Sequence, residues 1–165
     1  MNPEPNASAN LTLAATLNGL IATLKCSEEG FRGAAKRFLN PKLRETFVFY
    51  ALERERFASE FQDLVANLGG VAELNGTTAC AVHRDWQNLK DAIQGINDLG
   101  ILAEAEVSET SIAKYLQDAI SGGIPDNIRE MLESQIEDIL KARDHITELQ
   151  THVVTVAGQP TAKTE

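Results

Sequence analysis

A chain of 165 residues is long enough to bury one core without disulfides or a structural metal. Its 24 Asp and Glu against 15 Lys and Arg, a formal charge of −9, oppose phosphate backbones and anionic membranes, so neither nucleic acid nor membrane is an expected partner. Cys26 and Cys80 are its two cysteines, too few and too far apart for a thiolate zinc site or a disulfide framework, which points to a reducing cytoplasm.

Residues 1–10 carry neither the positive charge nor the apolar run of a signal peptide, and no later stretch reads as a membrane span. The expected organisation is one domain, residues 11–154, between disordered polar tails of residues 1–10 and 155–165. Within it, apolar residues recur at the helical period. The first segment, about Leu11 to Leu39, places Leu13, Leu17, Leu20, Ile21, Leu24, Phe31, Ala35 and Phe38 on one face, with Cys26 opposite. Asn40-Pro41 ends it, because proline disfavours helical geometry in the preceding residue and suits the start of the next helix. The second segment runs to Leu68 with Leu43, Phe47, Tyr50, Phe57, Phe61, Leu64 and Val65 inward, and Gly69-Gly70 stops it.

A polar stretch to Thr78 leads into a shorter periodic segment, about Ala79 to Ile93, with Val82, Trp86, Leu89 and Ile93 on one side. It reads as a crossover helix: a helix of about 25 residues spans about 37 Å, and this connection can travel back along one. The third long segment, about Asp98 to Ile120, turns Leu99, Leu102, Ala105, Ile112, Leu116 and Ile120 inward, and Gly122-Gly123-Ile124-Pro125 closes it. The fourth, about Asp126 to Thr151, has Asp126 as the expected N-cap and buries Ile128, Leu132, Ile136, Ile139, Ile146 and Leu149. Short hairpin, long crossover and short hairpin predict an all-α fold, an antiparallel four-helix bundle in the ferritin-like order, its crossover carrying a short extra helix.

Acids on a buried stripe are costly unless paired, hydrogen-bonded or bound to metal, so they are the informative residues. The wheels turn Glu28 inward on the first helix, set Glu53 and Glu60 on one flank of the second with Arg54 on the other, and put Glu106 and Glu109 near the apolar face of the third. Antiparallel geometry about the two hairpins brings Glu28 level with Glu53, and Glu109 level with about Asp138. His145 stands at the edge of the fourth stripe, His83 beside Trp86 reads as a docking contact, and His152 falls near the last helix end.

Two readings follow. In the first, Glu28, Glu53, Glu60, Glu106 and Glu109 supply oxygen ligands and His145 nitrogen to iron or manganese, giving ferroxidase or peroxide chemistry. In the second, which leads, Glu28, Glu53, Glu106, Glu109, Arg54 and Gln135 form an ion-pair network, and a non-catalytic bundle acts through assembly or a partner surface. The Glu-x-x-His pairs that complete di-metal sites are missing: Glu53 is followed three residues later by Arg56, and His145 lies eight residues past Glu137. No nucleophile–His–acid grouping or phosphate-cradling loop marks catalytic or cofactor-binding residues. Mostly charged outward faces show no coiled-coil seam, and a homodimer through helix faces is the expected assembly.

The segments Glu28-Glu29-Gly30-Phe31-Arg32, Glu53-Arg54 through Phe57 to Glu60, His83-Arg84-Asp85-Trp86 with Leu89-Lys90, Ile101-Leu102-Ala103-Glu104 through Glu106 and Glu109 to Tyr115, and Asp144-His145-Ile146 resemble, in that order, a bacterial family of ferritin-like four-helix bundles. It is known as domain of unknown function 2383, and the resemblance spans about Leu13 to Leu149. It implies the ferritin-like fold and a bacterial cytoplasmic protein linked to stress, but no activity.

Overall fold

The computed structural model describes residues 5–76 and 98–158. Four helices account for nearly all of them: α1 (Pro5–Arg37), α2 (Pro41–Asn67), α3 (Asp98–Ser121) and α4 (Asp126–Ala157). The expected crossover helix at residues 79–93, with His83, Trp86 and Cys80, lies outside the described residues.

The punctuation acts as its chemistry requires. Asn40 caps α2 by accepting the Lys42 N–H at 2.9 Å, and Pro41 follows where its missing N–H costs nothing. Gly69 at φ 77° and Gly123 at φ 86° turn the chain out of α2 and α3, a backbone conformation that side chains disfavour. Three boundaries differ from the sequence reading. The helix α1 begins at Pro5, so residues 5–10, read as tail, continue it; they are exposed from Asn6 onward and leave no apolar periodicity to find. Likewise α4 runs on to Ala157, into the segment assigned to the C-terminal tail. Pro125, not Asp126, occupies the N-cap of α4 and makes no side-chain cap bond; Asp126 is the first helical residue, where its charge complements the helix dipole.

Contacts between helices fix their directions. Phe38 packs on Phe47 and Phe31 on Tyr50, at centroid distances of 4.8 and 5.4 Å, while Ala14 lies against Gly70 at the other end, so α1 and α2 are antiparallel. Ser27 meets Glu109, and Gly19 lies so close to the Tyr115 hydroxyl that an added Cβ would sit 2.7 Å from it, which makes α1 and α3 antiparallel. Tyr50 meets His145 and Glu60 meets Gln135, which does the same for α2 and α4. Hence α2 and α3 run parallel, so the end of α2 and the start of α3 lie at opposite ends of the bundle. This is an antiparallel four-helix bundle with one long connection.

That connection starts by crossing α1. Asn18 donates to the Val71 carbonyl at 2.9 Å and accepts the Glu73 N–H at 2.8 Å, Gln62 donates to the Glu73 carbonyl, and Gly76 packs on Cys26 so tightly that a Cβ would lie 2.8 Å from its backbone nitrogen. Cys26, which the sequence reading places opposite the core face of α1, is therefore 3% exposed and clusters with the buried apolar residues of this end of the bundle. By length and composition α1 also contains an 18-residue window apolar enough to cross a membrane, with a mean hydropathy of 1.2, where the sequence reading finds no such stretch. Leu17, Leu20, Ile21 and Leu24, wholly inside the bundle, account for that apolarity.

The core has two parts. One end is built from Leu17, Leu20, Leu24, Phe57, Phe61, Ile112, Leu116, Leu132 and Ile139; the other from Phe31, Phe38, Phe47, Tyr50, Ile101, Leu102, Ala142 and Ile146. Between them lies a layer of polar side chains.

Candidate functional site: the charged centre of the bundle

Among the described residues Arg54 is the largest side chain wholly enclosed in the protein. It sits four residues after Tyr50 and three before Phe57, on the same stripe that carries Phe47 and Phe61, so it points at the bundle axis and not to the flank that the helical wheel suggested. Its Nη2 donates to Glu109 Oε2 across the bundle, and its Nη1 donates to Glu53 Oε1 at 2.6 Å. Ser27 Oγ donates to the other Glu109 oxygen at 3.2 Å, tying α1 into the same group. Phe31 and Phe57 present their rings to the guanidinium at 5.7 and 5.4 Å. Three helices thus meet on one positive charge.

The electrostatics follow from burial and pairing. Burial pulls the Arg54 pKa down, but Glu109 and then Glu53 outweigh it, raise it above its ordinary value and hold the guanidinium charged. Burial pushes the Glu109 carboxyl above its usual range, against the opposing pull of Arg54 and Ser27. Next to this group, the Tyr50 hydroxyl donates to His145 Nδ1 at 2.6 Å when that nitrogen is unprotonated. Burial first, and then Glu109 and Glu53, push the Tyr50 pKa up to about 12.

The remaining sequence candidates go elsewhere. Glu28 is 8% exposed, but its carboxylate turns to Lys25 at 2.9 Å and Arg32 at 3.0 Å on its own helix. Its link to α2 runs through Arg32 to Glu55, not to Glu53. Glu60 binds Arg56 at 3.0 Å and Gln135 at 2.9 Å, Glu106 accepts from Gln150, and Asp138 faces Lys141. So Glu53 and Glu109 are brought together, whereas Glu28, Glu60, Glu106 and His145 each have a separate partner. Arg54 is expected in a network with Glu53 and Glu109, though from a flank and not at its centre; Ser27 as a donor and Tyr50 as the partner of His145 are not expected. The spacing of Arg54 and Ser27 to their apolar neighbours, Tyr50 and Phe57 for one and Leu24 and Phe31 for the other, is the signal that places the first at the centre and finds the second.

The donor set does not fit a redox metal. Among the described residues no group of three or more His, Cys, Asp or Glu is placed to hold an ion. At the centre the two convergent carboxylates already share a cation, and the Arg54 Nε is buried without a hydrogen-bond partner, so the site lacks an acceptor and not a positive charge. Gln135 Oε1, also without a partner, is at the level of Glu60, about 9 Å further along α2. A cleft of about 400 Å³ lined by Lys42, Leu43, Leu149, His152 and Val153 opens at the α1–α2 turn and does not include the charged centre.

No curated protein is detectably similar to the chain. The family model described as Domain of unknown function (DUF2383) matches residues 12–122, which hold Ser27, Tyr50, Glu53, Arg54 and Glu109 and leave out α4 with His145. With more than half of its length matched, the chain belongs to the DUF2383 family.

Proposed function

We propose that this protein is a non-catalytic helical scaffold of the cytoplasm that acts through its surface, its charged centre serving to set the register of the helices. The observation that supports this is Arg54, whose guanidinium stands between Glu53 and Glu109 where a carboxylate-bound metal would have to be. Sliding α2 by one turn would put that charge among apolar side chains and leave Glu109 unpaired, so the pair selects one alignment out of several that the apolar stripes alone would accept. A ferritin-like architecture supports shared ancestry and not metal chemistry, because chemistry resides in the ligands.

The test is to load the full chain with ferrous iron and with manganese, remove the excess and count metal per chain. We expect no stoichiometric metal. One or two equivalents, lost on Glu109→Gln or Glu28→Gln with helicity retained, would overturn the proposal in favour of a carboxylate metal site with ferroxidase or peroxide chemistry.

A further inference from the structure

The outward face of α2 groups three large apolar residues on one exposed side of a helix. Phe49 is 60% exposed and Leu52 51%, with Val48 beside them, on the side of the helix opposite Phe47, Arg54 and Phe61. A phenylalanine and a leucine adjacent on one exposed helix face cost solubility and are characteristic of association surfaces. Along the same face the order is Glu45, Phe49, Leu52, Arg56, at spacings of four, three and four residues. That is the spacing of a helix–helix seam.

We infer that this face is a self-complementary docking surface for the α2 helix of a second copy of the chain. The pattern is symmetric about a point midway between Phe49 and Leu52, but the charges at its two ends are opposite. When two copies of α2 lie antiparallel across a two-fold axis at that point, Phe49 of each packs on Leu52 of the other, and Glu45 of each meets Arg56 of the other. Both ion pairs sit about 8 Å from the axis, well within reach at the usual spacing of packed helices. An unrelated partner would need neither the symmetry nor the sign reversal.

The end charges are available. Among the described residues Glu45 makes no ion pair or hydrogen bond, and it is exposed. Arg56, its side chain 58% exposed, donates from Nη1 to Glu60 and stacks on Phe57 at 4.8 Å, which leaves further guanidinium donors for a second carboxylate. The contact is one helix wide, so the dimer belongs at the weak end of specific interfaces, with dissociation in the micromolar range. This gives the surface reading above a partner, yet it stands apart from the charged centre: metal content and self-association can each fail without the other.

Sedimentation equilibrium of the full chain over micromolar to millimolar concentrations tests it. The wild type should pass from one chain to two. Glu45→Arg sets two positive charges against each other at each end of the seam, and Arg56→Glu sets two negative ones; each should weaken self-association at least tenfold. An equal mixture of the two variants should recover the dimer, because in the mixed pair both ends of the seam again bring a positive charge against a negative one. Leu52→Glu, which points to solvent, supplies a disruption that leaves the Arg56–Glu60 pair intact, and circular dichroism checks that each variant remains helical. A wild type that stays monomeric to millimolar concentration, charge variants that associate as the wild type does, or a mixture no tighter than its components would overturn the inference.

Discussion

The two ends of the bundle are held by the same four helices with different materials. Near the α1–α2 turn the interior is aromatic: Phe31, Phe38, Phe47 and Tyr50 meet at steep angles with centroids 4.8 to 6.1 Å apart, and α3 and α4 answer with smaller Ala105, Ala142, Ile101 and Leu102. The far end is largely aliphatic, with leucines and isoleucines from all four helices around Phe57 and Phe61. Edge-on rings tolerate few arrangements, whereas aliphatic layers repack readily. Neither end excludes a shift of one helix by a turn as strongly as the layer between them, because only there does a misplaced side chain leave a charge unpaired in the interior.

The largest effect is therefore expected at that layer. Arg54→Met should lower unfolding stability by about 3–5 kcal/mol, since Glu109 and Glu53 lose their cation. The loss should depend on pH in a definite direction. Burial already lifts the Glu109 pKa above 4.5, and without Arg54 it rises further; a carboxyl raised in the folded state stabilises fully at low pH and loses that contribution as pH rises through its folded value. Urea unfolding should show Arg54→Met closer to wild type at about pH 5 than at about pH 8. Adding Glu109→Leu should recover most of the loss and remove its pH dependence. An equal deficit at both pH values would mean that Glu109 is not the group left stranded.

The two ends can then be set against each other. Phe47→Ala should cost about 3–5 kcal/mol and Leu132→Ala about 2–5 kcal/mol, both side chains being wholly buried at opposite ends. The aromatic end should show the larger loss in chemical unfolding, because a ring that contacts Phe31, Phe38 and Tyr50 leaves a hole its neighbours cannot close. A larger loss at Leu132 would place the tighter packing at the aliphatic end.

How much of this was readable from sequence depended on whether local spacing carried it. Leu17, Leu20, Ile21 and Leu24 on α1, and Phe47, Phe57 and Phe61 on α2, announced their faces by period alone, and Asn40-Pro41 and Gly69-Gly70 announced the turns. Arg54 was drawn to a flank because summing apolar residues leaves an arginine out of the sum, although its spacing to Tyr50 and Phe57 puts it at the centre. The partners of the acids were not readable: Glu28 can reach cations on its own helix or across the hairpin, and the choice is made by rotamers and by Arg32 lying between it and Glu55. Cys26 is buried by Gly76, fifty residues away in sequence, which no wheel drawn on α1 contains.

A smaller effect belongs to Tyr50, where the aromatic end touches the charged layer. Its hydroxyl, with a pKa of about 12 against an ordinary 10, keeps its proton in the folded state longer than in the unfolded chain. The stability this contributes is complete below about pH 10 and is lost as pH rises towards 12. Between about pH 9 and pH 12 the wild type should lose roughly 2 kcal/mol more than Tyr50→Phe, and tyrosinate absorbance should show a late-titrating tyrosine that is missing from Tyr50→Phe. At neutral pH Tyr50→Phe should cost about 1 kcal/mol for the hydrogen bond to His145, whose exposed ring can turn to water instead.

The smallest effect sharpens the contrast between interior and exterior charge. Lys141 and Glu137 form a pair at 2.8 Å, a shorter contact than many in the protein, and each shifts the other's pKa in the direction expected of an ion pair. Yet both lie fully in solvent, where water and salt screen the attraction and ordering two long side chains offsets what remains. Lys141→Gln should therefore leave the urea midpoint unchanged within error at moderate salt, although it removes a closer contact than the Ser27–Glu109 bond. A measurable drop would mean that distance alone ranks the ion pairs of this bundle, and Arg54 would then lose its claim to a special part in setting the alignment.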